Sequence, residues 1–219
     1  MSLSELWSLY GQNYIDALLA TWGMALESFA IAMVLAVAVT VMRVSPLKPL
    51  RVFGDLYVQV FRNIPGIALL IIVVYALPPL KVVLPYRTCV IVATVLLGSA
   101  FGSENFMRGI NTVRVGQVEA ARSLGMSFSR ILAKIVIPQA LRSSVLPMTN
   151  LFIAVMLTTA LGSQVPLKPQ ELTGVVGYIN TRSLGGVAAF FISALGYLGT
   201  AFVVSHIGNY IDKKVRILR

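Results

Sequence analysis

Charged side chains divide this chain into five long apolar stretches. Uncharged runs lie between Glu27 and Arg43, Arg62 and Lys81, Arg87 and Glu104, Arg142 and Lys168, and Arg182 and Asp212. Their apolar centres, at residues 23–42, 64–80, 89–107, 144–165 and 186–208, approach the roughly 20 residues that a helix needs to cross a bilayer. The pattern predicts an all-α integral membrane fold with five transmembrane helices. The second span is the shortest and ends in Pro78 and Pro79. Residues 23–42 are expected to remain as the first span, because no basic stretch precedes them and no small-residue cleavage site follows before Arg43.

Two polar stretches outside these spans carry patterns of their own. In residues 1–22, Leu3, Leu6, Trp7 and Tyr10 fall along one side at helical spacing, which predicts an interfacial amphipathic segment with Trp7 and Tyr10 at headgroup depth, or else a frayed outer tail. In residues 119–138, EAARSLGMSFSRILAKIVIP, the pattern predicts two short helices joined by a bend. Glu119 to Leu124 are helix formers with an acid placed early, Gly125 supplies a left-handed turn, and Ser127 caps the second helix. Ile131, Leu132, Ile135 and Val136 then recur at helical spacing until Pro138 interrupts them. Such a pair suits insertion into a groove on another protein; an ordinary interfacial amphipathic helix has the same periodicity.

Composition agrees with the spans. Of 219 residues, 57% are hydrophobic and 12% charged, against about 25% charged in soluble domains; mean hydropathy is +0.83. The net charge of +10 suggests nucleic acid only where a soluble, aromatic-bearing basic domain exists, and none does. Its distribution is topological. Residues 43–62 hold four basic residues, 108–142 six, and the tail four (Lys213, Lys214, Arg216, Arg219), whereas the other side holds only Lys81, Arg87, Lys168 and Arg182. Cytoplasmic loops are enriched in Lys and Arg, so the N-terminus is expected outside and the C-terminus inside. The long loop 108–142 then faces soluble partners, and the basic loops also meet anionic membrane lipid. The single Cys89, inside an apolar run, excludes an intrachain disulfide and a thiolate metal cluster.

The loop carries a resemblance. Glu119, Ala120 and Ala121, three residues, Gly125, nine residues, then Ile135, Ile137 and Pro138 resemble the loop signature of ABC importer permeases, with Ile137 in place of the usual Leu. RNIPG before the second span, SENFMRGINTVRVGQVEAARSLG and IPQALRSSVLPMTN resemble the polar amino acid uptake subfamily over about residues 20–165. The resemblance implies a permease domain over 23–212 containing a coupling loop at 108–142, after the segment 1–22 and before a basic tail, 213–219. It implies ATPase-coupling residues Glu119, Ala120, Ala121, Leu124, Gly125, Met126 and Ser127.

It also implies partners: two cytoplasmic ATPases, a second identical or homologous permease, an extracytoplasmic solute-binding protein and an amino acid solute, in a bacterial cytoplasmic membrane. No phosphate-binding loop of the Gly-rich Lys-Ser/Thr type occurs in this chain, so it is expected to be a non-catalytic subunit without cofactors, ATP and magnesium being held by the partner ATPase. The expected solute is glutamate, glutamine or aspartate. Ile64 stands where many relatives have Thr, and Met156 and Leu157 where relatives often carry Lys, which bears on specificity. An ATP-independent carrier and a membrane scaffold for a soluble enzyme are the alternative classes.

Polar side chains inside spans tend to face a bundle interior or a water-filled cavity. On that ground Tyr75, Ser99, Thr158, Thr159, Ser163 and Tyr197 are candidate pathway residues, although Ser and Thr hydroxyls also bond their own helix. Glu104 and Arg108 are spaced for an intrahelical salt bridge. Glu27 is expected to snorkel to the interface or meet a positively charged group of the partner, and His206 to be a packed polar residue. Gly116, Gly125, Pro138 and Pro147 are candidate bends in the connection from the loop to the third and fourth spans.

Overall fold

A computed structural model describes residues 2–182 and 186–215. Among them no strand occurs. The long helices are α1 (Leu3–Val44), α2 (Lys48–Asn63), α4 (Tyr86–Asn111), α8 (Val145–Thr158) and α10 (Gly186–Val215). Shorter ones are α3 (Gly66–Ile71), α5 (Val115–Ser123), α6 (Phe128–Ile131), α7 (Ile137–Ser143) and α9 (Gly174–Asn180). Among the described residues four helical segments are long and apolar enough to cross a membrane: α1, α4, α10, and α8 taken with the turns that follow it. A fifth span is obtained when α2 and Gly66–Leu80, bent by 103° at their junction, count as one.

The expected second span is therefore broken. Ile64 and Pro65 are extended at the junction, and Gly66–Leu80 alone reaches only about 22 Å at 1.5 Å per residue, short of a bilayer core. It consists of α3, a π-helical turn at Ile72–Ala76 and a 3₁₀ turn at Pro78–Leu80. A second π-helical turn, Leu132–Val136, likewise ends just before Pro138. Proline has no N–H to continue the ladder, and its ring crowds the carbonyl four residues back, so the turn before it widens.

The first helix also departs from expectation. Residues 3–44 form one helix of 42 residues, about 63 Å long, so the boundary at residue 22 falls inside a continuous element. Ser2 accepts from the Glu5 N–H while the Glu5 carboxylate accepts from the Ser2 N–H, a reciprocal cap at its start. Leu6, Tyr14 and Ala17 are buried against Leu172, Val175 and Ile179 of the loop before α9 and α9 itself. The segment's polar appearance thus conceals a packed cap at the start of α1, while Trp7 on the same helix stays half exposed.

Inside the membrane, the inward face of α1 consists mostly of small residues and its outward face of large ones. Thr21, Ala25, Ser28, Ala32, Ala36 and Thr40 are buried, whereas Leu26, Ile31, Val34, Val37 and Val41 are exposed. Lipid solvates the large side chains as well as a protein core does, so helices associate through close backbone approach at small residues. The partner is α4: a Cβ on Gly98 would lie 3.2 Å from that of Ala32, and one on Gly102 would lie 2.9 Å from that of Ala36. Cys89, Val90 and Ala93 of α4 extend this core toward Leu69, Leu70 and Val73.

Candidate functional site

The bent pair at residues 115–131 is built by a Schellman closure. The Met126 N–H donates to the Ala121 carbonyl at 3.1 Å and the Gly125 N–H to the Arg122 carbonyl at 2.9 Å, with Gly125 at φ +72°. A left-handed residue here satisfies carbonyls that would otherwise have no partner, and glycine adopts it without a Cβ penalty. Ala121 and Met126 face inward onto Val113, Ile131 and Val136. Glu119, Ala120, Leu124, Gly125 and Ser127 face outward. Leu124, at the apex, is 82% exposed, and Val115 and Phe128 add further uncovered apolar surface. Ser127 occupies the N-cap position of α6 with extended backbone, but its side chain makes no cap hydrogen bond, contrary to the expected hydroxyl cap.

This loop is packed against α4, and the long helices at its two ends are joined directly. Gly109 of α4 lets α7 approach so closely that a Cβ there would stand 2.8 Å from the Ala140 carbonyl oxygen and would overlap Ser144 Oγ. Asn105 Nδ2 donates to the Pro147 carbonyl at 3.1 Å, joining α4 to α8. Within the loop, Gln139 Nε2 donates to Gln117 Oε1 at 2.7 Å, tying α7 to α5. Of the expected bends, Gly125 alone has positive φ; Pro138 lies in the first turn of α7 and Pro147 within α8.

An ionic cluster lies where α1, α2 and α4 meet. Arg43 Nε donates to Asp55 at 2.8 Å and Nη2 to Glu104 at 3.3 Å, and Arg62 reaches the same Glu104 oxygen at 3.5 Å. Glu104 therefore pairs across helices instead of with Arg108. Two cations from other elements reach it at ion-pair distance, and spacing along α4 alone does not reveal them. Arg62 also stacks over Phe101 at 5.3 Å. Glu27 pairs with Arg87 of this same chain at 2.6 Å, both half exposed. His206 stacks against Phe202.

Arg62, Gly66, Phe101, Thr158, Leu161 and Gln164 line an open cavity of about 580 Å³ between the broken second span, α4 and α8. Of the six candidate pathway residues, only Thr158 borders it. Ser163 lines a smaller cavity of about 240 Å³ with Gln170 and Tyr178. Tyr75 is 69% exposed on the π turn. Ser99 is buried and bonded to Tyr57 at 2.7 Å, and Thr159 is buried with its hydroxyl on the Met156 carbonyl at 2.6 Å. The Tyr197 hydroxyl donates to Glu171 at 2.8 Å. Arg62, Gln164 and Glu171 are the polar groups that span-by-span reading passes over. Arg62 was visible in RNIPG, whereas a carboxylate in a Pro/Gly-rich loop gives no sign of burial. That burial raises the Glu171 pKa above the ordinary carboxylate value, against the lowering effect of the N–H groups of Thr173 and Gly174.

Similarity to known proteins covers nearly the whole chain. A family model described as "binding-protein-dependent transport system inner membrane component" matches residues 28–217. A glutamate transport system permease protein of Corynebacterium efficiens is 34% identical over 90% of this chain and 91% of its own length. The L-cystine transport system permease protein of Bacillus subtilis is 30% identical over 95% and 91%, and a probable glutamine ABC transporter permease protein of the same organism 31% identical over 97% and 96%. Among solved structures, an amino acid ABC transporter crystallised with histidines superposes with a TM-score of 0.91 at 23% identity, covering 98% of this chain and 99% of that one. An inward-facing MetNI methionine ABC transporter gives 0.73 at 19%, over 99% and 100%.

Proposed function

This chain belongs to the family of binding-protein-dependent transport system inner membrane components, and we propose that it forms one half of the membrane pathway of an ATP-driven importer for a polar amino acid. Glutamate, glutamine and cystine are the solutes in the names of its relatives; glutamate or glutamine is the reading carried to this chain. The observation that carries the mechanism is the exposed Schellman bend: Glu119, Ala120, Leu124 and Gly125 form a helical corner whose inner face is packed and whose apolar apex at Leu124 is uncovered. An apolar knob on a rigid corner suits a groove on a soluble ATPase, and its attachment to α4 through Gly109 gives docking a mechanical route into the spans.

In this reading two cytoplasmic ATPases hold ATP and magnesium, and each engages the corner of one of two permease subunits. Closure of the ATPase pair draws the corners together and shifts the helix bundle from inward to outward access, which requires contacts that differ between the two states. The cavity bordered by Arg62, Thr158 and Gln164 is the candidate solute passage, and a second permease copy covers its open side. The excess of basic residues at 43–62 and in the loop 108–142 supports a cytoplasmic corner and an outer N-terminus, where a solute-binding protein delivers its cargo. The setting is a bacterial cytoplasmic membrane.

The test is copurification and then transport. Gentle extraction of the chain tagged at its C-terminus is expected to bring down an ATPase with a phosphate-binding loop, and the complex in liposomes to accumulate labelled glutamate or glutamine only with ATP and binding protein. Amino acid movement by the chain alone without ATP would replace this reading with a secondary carrier. A copurified enzyme without transport would favour the scaffold.

A further inference from the structure

Glu171 is a completely buried carboxylate with no ion pair among the described residues. Three donors hold it: the Thr173 N–H at 2.6 Å and the Tyr197 hydroxyl at 2.8 Å on Oε2, and the Gly174 N–H at 2.6 Å on Oε1. Burying a charge is expensive unless hydrogen bonds replace its water, so the arrangement has to be explained by what it joins. The next residue donates its amide to Thr21 Oγ1 of α1 at 3.1 Å. The Leu172 side chain lies against Gly196 of α10, where a Cβ would come within 3.2 Å. On the other side, a Cβ on Gly162 would meet Glu171 Cγ at 3.0 Å.

Gly162 belongs to the 3₁₀ segment Thr159–Gln164. Bonds in such a segment are poorer than α-helical ones, and it depends on its surroundings for shape. Of its other residues, Ala160, Leu161 and Gln164 border the large cavity. One short segment thus shows one face to the cavity and the other to the Glu171 side chain. We propose that Glu171 is a positioning residue of the transport cycle: its carboxylate, fixed by Thr173, Gly174 and Tyr197 in the outer cap (the start of α1, α9 and the loop before it) and on α10, seats its Cγ against Gly162 of Thr159–Gln164, so that displacement of the cap is delivered to the segment bordering the cavity. The clamp is a property of this chain; its use in solute delivery rests on the transport reading above.

Hydrogen exchange monitored by mass spectrometry on the full chain in lipid nanodiscs tests the clamp independently of transport. Glu171→Gln puts an amide donor where the carboxylate has only donors around it. It is expected to raise exchange about tenfold in peptides covering residues 159–164 as well as 172–174, leaving 115–131 unchanged. Tyr197→Phe, which keeps the carboxylate, is expected to act in the same places more weakly. In the assembled transporter, Glu171→Gln is expected to lower the maximal uptake rate about tenfold with the same amount of ATPase bound, as a displaced positioning group does. Glu171→Asp should restore part of it. Exchange confined to 172–174, or uptake falling only in proportion to lost ATPase, would overturn the proposal and leave a local cap. If the variants show the exchange pattern but the wild-type chain gives no ATP-driven uptake, the clamp stands and the transport reading fails.

Discussion

Gly102 of α4 faces Ala36 of α1 at a distance that leaves no room for a side chain: a Cβ on the glycine would lie 2.9 Å from that of the alanine and equally close to Met33 Cε. Gly98 repeats the relationship one turn earlier against Ala32, at 3.2 Å. The two glycines are four residues apart, as are the two alanines, so the helices are in contact along a seam. The Schellman corner and the packed N-terminal cap both hang from the helices of this seam: the corner comes after the end of α4, and the cap begins with α1.

Gly102→Val is therefore expected to push α1 from α4 and to destabilise the chain by about 1–3 kcal/mol, the usual range for overpacking. Gly98→Ala adds a single methyl beside neighbours at 3.2 Å and is expected to cost less. Thermal unfolding in detergent, tracked by loss of monodisperse protein, ranks the two. Equal stability of Gly102→Val and wild type would mean that the seam is not close-packed.

At the corner, Leu124→Asp is expected to leave folding unchanged, because the side chain is 82% exposed and substitutions of that kind usually fall within about 0.5 kcal/mol. ATPase copurification and ATP-driven uptake are expected to fall sharply, since a desolvated carboxylate replaces an apolar anchor. Gly125→Arg adds a second fault: its φ of +72° strains any L side chain, at a cost of order 1 kcal/mol, besides placing charge at the bend. Membrane insertion of both variants should match wild type. Normal uptake by either would remove the corner from the mechanism.

The two groups of ion pairs predict opposite outcomes. Arg87 and Glu27 are both about half exposed, and a double-mutant cycle on them is expected to give a coupling of about 1 kcal/mol or less. Arg43 is 12% exposed and bridges Asp55 and Glu104 from two helices. Arg43→Met leaves those carboxylates without their shared cation, although Arg62 still reaches Glu104. Because the carboxylates remain partly solvated, a loss of about 2 kcal/mol is expected, below that of a fully buried broken pair. Stability unchanged in Arg43→Met would show that the cluster is solvated and without structural weight.

The same residues mark how much was legible in the sequence. Uncharged runs located α1, α4, α8 and α10 because lipid exposure demands apolar residues over a whole span. The same rule misread residues 43–62. Asp55 and Arg62 mark α2 as polar, yet Asp55 pairs with Arg43 of α1, and both arginines reach Glu104 of α4. The Glu104–Arg108 expectation failed for the same reason, since i to i+4 spacing sees only one helix. Residues 3–22 looked interfacial because Leu3, Leu6, Trp7 and Tyr10 fall along one side, and their burial depends on Leu172, Val175 and Ile179, more than 150 positions away. The Schellman bend was legible because it is local: Gly125 and the residues that close it lie within one turn.

Thr158 and Thr159 separate a cavity role from a packing role at adjacent positions. Both hydroxyls donate to their own helix, Thr158 to the Ala154 carbonyl at 2.7 Å and Thr159 to that of Met156 at 2.6 Å. Thr158, however, borders the large cavity, while Thr159 is completely buried. Thr158→Leu enlarges a cavity-lining side chain and is expected to lower uptake, by about tenfold if solute passes within contact distance, with little change in stability. Thr159→Val keeps the shape and leaves the Met156 carbonyl without its hydroxyl donor, so its effect is expected in stability, by about 1 kcal/mol, with uptake per folded transporter unchanged. Measuring uptake rate against thermal stability for the two variants decides between these roles. A rate loss in Thr159→Val with none in Thr158→Leu would move the passage to the other side of the 3₁₀ segment, toward Ser163 and the smaller cavity.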